Sequence, residues 1–538
     1  MTRALLACAL VAIVIVINAP TWDYGFVYDD YAVIVNRPPA WQQGWKTFVE
    51  TRQWGTGRHA VALSFDANRT EPLSPRPFHV VNTALAALAA VLVFALAVSL
   101  GLSPPAAFVA GTLFAVHPVH TDAVVSIVGR AELLAGIAVL GCMLLHVRGY
   151  PRRAVTLPAA AVLFFIGVES KESAIALLVL LVLYDFLLGS ERSPLSLLVP
   201  YIAYGLAALA WVALTAHNFG TIDPIAYVDN PIAFLPAYER IPRAAAVLWR
   251  YLGLVLLPIS LKPDRGFATT MPTLLEGVIG LLAWLVVLAA CWRARSRYPR
   301  AVFFTLWFLA SFLITANILY PVAIIMAERL LFTPSVGLVL LAGLVVDRAL
   351  AGTRARRVAT TALVTAGALL LAFAYDVRAR AWANNPHYHL IAAFESPSSA
   401  KAHYNLGLER AQAEDYAAAE AAFRRALQIY PSFGLAAYYL TGVLLKTDRT
   451  DDAIAVYKEY LSHEPDDEGA MSQLVTLLVS VDEYDEAHKL AERLVQLNPE
   501  DEGHRSLLVM VEQLEEGGEL DPSVLEGQLQ QGKPEAAH

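Results

Sequence analysis

Residues 80–101 read VVNTALAALAAVLVFALAVSLG. A helix crosses a bilayer core with roughly 20 apolar residues, and this stretch supplies them without a charged side chain. Read as a transmembrane span, it sets the class of the whole N-terminal region, because similar stretches recur on both sides of it. The candidates are 4–19, 80–101, 104–117, 130–147, 154–168, 172–188, 195–216, 272–292, 302–320, 331–347 and 358–375, so ten or eleven spans are expected. Residues 242–258 are apolar too but carry Arg243 and Arg250. Two arginines suit an interfacial or re-entrant helix on the outer face better than a bilayer centre. The run from Ala4 to Ile17 follows Thr2-Arg3 in the manner of a signal peptide. The residues after it, Asn18-Ala19-Pro20, offer no clear small-residue cleavage site, so an uncleaved first span is expected.

The composition agrees with a membrane protein and divides the chain. Of 538 residues, 57% are hydrophobic and 16% charged, against roughly half and a quarter in soluble domains. Residues 1–397 hold 29 Lys+Arg and 21 Asp+Glu, a net of +8; the remainder hold 11 and 27, a net of −16. The shift places a boundary near residue 397. A membrane domain over 1–385, a soluble domain over 398–516 and a disordered tail over 517–538 are expected. The soluble domain is acidic and would repel phosphates, which excludes nucleic acid as a partner. Cys8, Cys142 and Cys291 lie far apart in apolar runs and read as small buried hydrophobes rather than disulfides or metal ligands.

Orientation follows the arginines. Three short loops are rich in them: Arg148, Arg152 and Arg153; Arg293, Arg295, Arg297 and Arg300; and Arg348, Arg354, Arg356 and Arg357. All three should be cytoplasmic. Loops 20–79, 118–129, 169–171, 217–271 and 321–330 then lie outside, and so does the C-terminal domain.

That domain declares its fold by period. Pro397, Pro431, Pro465 and Pro499 are spaced 34 residues apart, the period of the tetratricopeptide repeat (TPR). Leu406, Gly407, Tyr416, Ala419, Phe423 and Ala426 fill the signature positions of the first repeat. Leu440, Ala453, Tyr457 and Tyr460 follow in the second, and Ala487, Ala491 and Leu494 in the third. Small residues let the two helices of a repeat approach, and the proline ends the second helix. The expected fold is all-α: a polytopic helical membrane domain followed by a TPR α-solenoid of three repeats and a capping helix.

Polar residues gather in the outer loops. The first carries Asp29 and Asp30 in Phe26-Val27-Tyr28-Asp29-Asp30-Tyr31. Such a pair could act as a general base, a metal ligand or both, or simply occupy a solvated turn. The second reads His117-Pro118-Val119-His120-Thr121-Asp122, then Gly129-Arg130-Ala131-Glu132. His120 and Asp122 could ligate a divalent cation, and Arg130 could grip a phosphate. The plainer alternatives are a helix cap at Thr121 or Asp122 and an arginine snorkelling to the interface. Glu169-Ser170-Lys171-Glu172 puts a lysine at the depth of a lipid phosphate, with an ion pair to a neighbouring glutamate as the alternative. Glu328-Arg329 sits just inside an apolar stretch, where charges are functional or paired. Four loops supplying acids and bases at one face describe a polar cavity at the outer leaflet.

These stretches resemble the transmembrane-and-TPR O-mannosyltransferases, a family with the C-type glycosyltransferase membrane fold. The matching pieces are FVYDD at 26–30, RHAVALSFDAN at 58–68, FHVVN at 78–82, LFAVHPVHTDAVVSIVGRAELLAG at 113–136, SKES at 170–173 and ERLLFTPSVG at 328–337. Order and spacing agree over about 370 residues, and the TPR array agrees too. The resemblance implies a transferase that takes a sugar from a polyprenyl-phosphate donor and gives it to a Ser/Thr hydroxyl of an exported protein. It maps the catalytic carboxylate to Asp29, with Asp30 in support or helping to hold a cation. Arg58, Arg130 and Lys171 map to the donor phosphate, with Arg329 a further candidate; His117, Glu132, Glu172 and Glu328 complete the cavity. The TPR groove would present the acceptor or bind a partner.

The chain departs from the family pattern at Arg58-His59, where Arg-Pro is usual, at Asp122, where Glu is common, and in its short TPR array. Its arginine and alanine content looks bacterial, which implies an inner membrane, periplasmic repeats, an undecaprenyl-type carrier and a sugar that need not be mannose. Two rival readings are a non-catalytic membrane scaffold whose repeats recruit envelope proteins, and a lipid-linked-sugar flippase or polymerase. A scaffold has no need of Asp29, Arg130 and Lys171 near one face, and a flippase should carry polar residues through the full membrane depth. The topology has a direct check: a reporter fused after Ser398 should be active only outside the cytoplasm, and cytoplasmic activity would invert every loop assignment.

Overall fold

The first helix, α1 (Arg3–Asn18), starts at a Thr2 cap whose hydroxyl accepts the Leu5 N–H at 3.4 Å. Leu6, Leu10 and Val14, four residues apart, form its buried stripe and join the main hydrophobic core. The computed structural model describes residues 2–44, 47–48, 58–189, 194–216, 225–265 and 271–516. The expected disordered tail, 517–538, lies outside the described residues. Among these residues the protein is built of helices and turns, with no strand. Two units are distinct: the described residues within 2–225, 230–265 and 271–391 form one, and those within 226–229 and 392–516 the other.

In the first unit, α2 (His59–Asp66) is short, and α3 (Arg76–Ser99), α4 (Pro104–Ala115), α5 (Arg130–Val147), α6 (Arg153–Ser170), α7 (Ala176–Leu187) and α8 (Pro194–Thr215) follow. Helices α9 (Ala237–Leu256), α10 (Leu274–Ala294), α11 (Pro299–Ser311), α12 (Ser335–Leu350) and α13 (Arg354–Ala379) complete the bundle, and α14 (Asn385–Glu395) ends it. Helix α5 packs against α3 and α6, while α4 packs against α3 and α12. The span Ile127–Val147 has 89% of its apolar window inside the protein; Arg354–Trp382 has 6%. A helix that is apolar all round yet exposed needs lipid to cover it, so α13 is peripheral and α5 central. The protein is an integral membrane protein.

Among the described residues, seven helices are long and apolar enough to cross a bilayer, fewer than the expected ten or eleven. The other four expected spans form α4, α7, α11 and α12, of 12, 12, 13 and 16 residues. Twelve residues rise about 18 Å, short of a roughly 30 Å core. The span expected over 302–320 ends at Ser311, whose hydroxyl donates back to the Trp307 carbonyl at 2.8 Å. Beyond it the chain is irregular, and Asn317, at φ 59°, replaces the missing helical bonds. Its oxygen accepts from Val322 N–H at 3.0 Å and from Asn230 at 2.8 Å, and its amide donates to Ile324 at 3.2 Å. Side chains thus satisfy backbone that lipid could not. Helix α9, expected at the interface, is amphipathic. Its charged face pairs Arg243 with Glu239 at 2.9 Å and Arg250 with Glu276 at 3.5 Å, while Ala244–Leu248, Tyr251, Leu254 and Val255 are buried.

The second unit is a helical array: α15 (Ala400–Gln412), α16 (Tyr416–Ile429), α17 (Gly434–Lys446), α18 (Thr450–His463), α19 (Glu468–Ser480), α20 (Tyr484–Leu497) and α21 (Glu502–Glu515). Each packs on its successor, as in a solenoid. Helices α16, α18 and α20 end two residues before Pro431, Pro465 and Pro499. A second 34-residue period emerges in the backbone: Glu414, Asp448 and Asp482 all turn left-handed between the paired helices, a helix-ending conformation that glycine usually takes. Ser399, Asp467 and Asp501 cap α15, α19 and α21. The equivalent Phe433 is buried instead with Val228, Ala400, Ala426 and Ala436. Val228 belongs to Ala226–Asp229, a segment of the 217–271 loop that is part of this unit; Lys401 pairs with Asp229 at 2.6 Å and Tyr227 stacks on Tyr430.

Gly407 explains the closeness of α15 and α16, because a Cβ there would stand 2.6 Å from the Phe423 ring. Gly407→Val should overpack this contact by about 1–3 kcal/mol. Limited proteolysis of the full-length protein is then expected to cut within 400–516 at lower protease doses, with the membrane bundle uncut.

Candidate functional site

Three sequence stretches far apart in the chain meet at Arg130, the first residue of α5, which has no solvent exposure. Its Nε donates to Asn82 Oδ1 at 2.8 Å. Nη1 donates to Asn68 Oδ1 at 2.7 Å and to the Ser64 carbonyl at 2.8 Å, and Nη2 to the Phe78 carbonyl at 3.1 Å. The Phe65 ring lies 4.8 Å from the guanidinium. All four of these bonds go to protein partners inside a buried pocket. It is a structural hub. Asn82 extends it, donating to the carbonyls of Ser126 and Ile127 at 3.2 Å. At Gly129 a Cβ would sit 2.4 Å from the Ala123 carbonyl oxygen, so only glycine lets this turn close.

Asp30 is also drawn inward. It is 1% exposed, and its oxygens accept the Val27 N–H at 2.9 Å and the Val128 N–H at 3.2 Å. Burial pushes its pKa up to about 7 against those two bonds, with Asp29 raising it further and Arg130 lowering it. Asp30 thereby latches the loop after α1 to the turn before α5. Asp29 is half-buried and lies within electrostatic reach of Arg329 and Tyr388. Between the loop's start and Asp29, Tyr28 adopts φ 53°, a conformation costly to a bulky side chain and concentrated at functional sites.

The remaining expected cations each hold a carboxylate. Lys171 is hydrogen-bonded to Glu132, in the first turn of α5. Arg58 pairs with Glu172 at 3.3 Å. Arg329 donates its backbone N–H to Asp122 at 2.9 Å and sets its guanidinium 3.7 Å from the same carboxylate. Lys171 in turn lies in the fields of Arg58 and Arg329, and Arg329 in those of Asp122, Asp29 and Glu132. Burial lowers the Lys171 pKa, opposed by Glu132. For Arg329, burial works downward, but the three carboxylates outweigh it and raise its pKa. The structure therefore groups Asp29, Asp122, Glu132, Lys171, Arg58, Glu172 and Arg329 and leaves Arg130 outside.

Glu328 anchors an adjoining cluster that the sequence does not signal as one. Its carboxylate lies 3.0 Å from Arg265 and 3.7 Å from Arg378. Burial raises its pKa, with Arg378 and Arg265 opposing. Sequence reasoning also missed Asn385 and Tyr388 on α14, because they fall after the last expected span and in none of the motif stretches. The Asn385-Pro386-His387-Tyr388-His389 run was the available signal.

The histidines do other work than cation binding. His117 Nε2 donates to the Val255 carbonyl at 2.9 Å, and its Nδ1 faces the Val119 N–H at 3.4 Å. His120 Nδ1 donates to the Phe114 carbonyl at 2.8 Å, and Nε2 faces the Ser335 hydroxyl at 2.9 Å. Burial lowers the pKa of His117 to about 4 and that of His120 to about 3, the latter also through His117. Both are neutral, fully engaged struts between α4, α9 and α12. With both nitrogens of His120 occupied and Asp122 held by Arg329, this pair does not fit a metal. Among the described residues, no three His, Cys, Asp or Glu side chains group to hold one. The departure at His59 has a local cause: its N–H donates to Glu169 at 2.8 Å, a bond that proline cannot make.

Fold and site together define a helical integral membrane protein with a charged, partly buried cluster in the bundle and a C-terminal TPR array. The tetratricopeptide-repeat model matches residues 410–476 and 444–510. Protein O-mannosyl-transferase TMTC3 of Mus musculus is 29% identical over 380 residues, covering 61% of this chain and 41% of that protein. Protein O-mannosyl-transferase F38B6.6 of Caenorhabditis elegans is 28% identical over 402 residues, covering 71% and 56%. The chain thus spans about half the length of these relatives. Among solved structures, the S. cerevisiae protein O-mannosyltransferase Pmt1–Pmt2 complex bound to the sugar donor aligns at 13% identity and TM-score 0.31, over 45% of this chain and 36% of that one. The resemblance read from the motifs is borne out: the chain is similar to the transmembrane-and-TPR protein O-mannosyl-transferases.

Arg130→Met removes the hub and strands two asparagine side chains and two carbonyls in a buried pocket. A loss of about 3–5 kcal/mol is expected. Thermal unfolding of detergent-solubilised protein should show a large drop for Arg130→Met and little change for Arg58→Gln, whose pair is partly exposed.

Proposed function

We propose that the protein is a membrane glycosyltransferase that moves a mannose-like sugar from a polyprenyl-phosphate donor to a Ser/Thr hydroxyl of an exported protein. The observation that carries this reading is a half-buried carboxylate, Asp29, in the field of Arg329, beside further cations that each hold a fixed carboxylate partner. Such an arrangement separates a base from an anion-binding wall. Asp29 accepts the proton of the acceptor hydroxyl as its oxygen attacks the anomeric carbon. The bond from that carbon to the donor phosphate oxygen breaks, the electron pair leaves with polyprenyl phosphate, and configuration inverts. Arg329, Lys171 and Arg58 face the charge that gathers on the leaving phosphate. Asp122, Glu132 and Glu172 keep those three side chains in place, so little reorganisation is needed when the donor arrives.

The TPR array presents the acceptor or binds a partner, and its acidity favours basic or neutral segments. The arginine-rich loops, read as cytoplasmic, support repeats on the opposite side of the membrane, and the arginine and alanine content supports a bacterial inner membrane with the repeats in the periplasm. The relatives' names support the transferase class.

The test is transfer of labelled sugar from polyprenyl-phosphate donors to exported protein in membranes, comparing wild type with Asp29→Asn at equal expression. Loss of a general base should lower transfer by roughly 10²–10⁴-fold, with donor binding retained. Unchanged transfer would remove Asp29 from the chemistry. Absence of transfer by the wild type, across several sugars, would make a membrane-anchored scaffold the better account.

A further inference from the structure

The loop that carries Asp29 is held by a helix that no motif includes. The Tyr28 backbone N–H donates to Asn385 Oδ1 at 2.8 Å. The Tyr28 ring stacks on Tyr388, with centroids 5.7 Å apart and planes 24° from parallel, and meets His389 edge-on at 5.8 Å. Below this contact the Gly25 N–H donates to the Ala383 carbonyl at 2.9 Å. Trp382 packs on the far side of Tyr388 at 4.7 Å, and Val27, Trp382 and Tyr388 share one buried cluster. Three successive anchors, at residues 25, 27 and 28, therefore fix the strand of chain that ends at Asp29.

Left-handed backbone at Tyr28 needs such support. A bulky residue at φ 53° is disfavoured by about 1–2 kcal/mol and persists where its surroundings over-determine it. Asp30 fixes the other side of Asp29 through Val27 and Val128. Asp29 thus sits between two clamps, one facing α5 and one facing α14. Tyr388 is itself 5% exposed and lies in the fields of Asp29 and Asp122, so the α14 clamp reaches the charged cluster directly.

We infer that Asn385 and Tyr388 are positioning residues for Asp29: they hold Tyr28 in its left-handed conformation and so aim the carboxylate at the acceptor hydroxyl. This rests on the proposed role of Asp29. Catalytic groups displaced by about 1 Å lose roughly 100-fold in rate, and an unclamped Tyr28 relaxing to ordinary backbone would move its neighbour by at least that much.

The experiment measures kcat and donor KM of purified full-length protein for Asn385→Ala, Asn385→Asp, Tyr388→Phe and Tyr388→Leu, with Asp29→Asn as the reference. Asn385→Ala and Tyr388→Leu should lower kcat roughly 10- to 100-fold with donor KM within about twofold. Asn385→Asp keeps an oxygen for the Tyr28 N–H, and Tyr388→Phe keeps the stacked ring; both should recover most of the rate. A role in stability alone would lower the amount of active protein but leave kcat per folded molecule unchanged. Wild-type kcat in folded Asn385→Ala and Tyr388→Leu, alongside an inactive Asp29→Asn, overturns this inference and leaves the proposed function standing. Full transfer by Asp29→Asn overturns both. Where Asn385→Ala does not accumulate, the contrast between Tyr388→Leu and Tyr388→Phe decides the matter.

Discussion

A guanidinium buried without an opposing carboxylate in direct contact organises the end of the bundle that carries the charged cluster. Moving such a charge out of water costs several kcal/mol, and it is sustained only when nearly every N–H is used. Arg130 meets that condition with Asn68, Asn82 and the carbonyls of Ser64 and Phe78. In doing so it ties α2 and the turn after it to α3 and α5. Asn82 passes the constraint on to Ser126 and Ile127, and Asp30 adds Val128. The loops bearing Asp29 and Asp122, and the first turn of α5 bearing Glu132, are thereby set against a rigid frame. The motif residues Arg130, His117 and His120 bond to asparagine side chains, backbone carbonyls and the Ser335 hydroxyl, and so belong to the frame.

Charge pairing explains the rest of the cluster. Lys171, Arg58 and Arg329 are partly withdrawn from water, and each has a carboxylate of its own in Glu132, Glu172 and Asp122. Removing one partner of such a pair strands the other, which is why buried charges come matched. Matching also fixes direction. A lysine or arginine with a long flexible stem loses its rotamer freedom to the carboxylate in advance, and an incoming anion meets cations already placed. Asp29 differs, with clamps on its backbone to either side.

The repeats obey a different economy of forces. Their helices bury small residues at Ala419, Ala426, Ala453, Ala487 and Ala491, and capping by Ser399, Asp467 and Asp501 satisfies helix N-termini one repeat after another. Repeat two lacks a capping side chain at Phe433. There the hydrophobic contact with Val228 takes over, a contact supplied from a loop more than 200 residues earlier in the chain.

Apolar runs and a 34-residue proline period lie in the sequence itself, because membrane crossing and helix stacking are local demands repeated along the chain. They determined an all-helical membrane protein with a TPR array, and the gathering of acids and bases in a few loops could likewise be read along the chain. The number of helices long enough to cross was not: α11 stops at Ser311 because Asn317 and Asn230 satisfy irregular backbone that hydropathy alone treats as helix. Roles within the site were not legible either. Arg130 and Lys171 look alike as cations at span ends, yet the fold buries the first among amides and sets the second against Glu132, 39 residues away in sequence. Tyr28 meets Asn385 across 357 residues. Pairings over such separations depend on how helices pack, and a side chain's role follows from its partners, so only the tertiary structure could decide which charges frame the site and which face it.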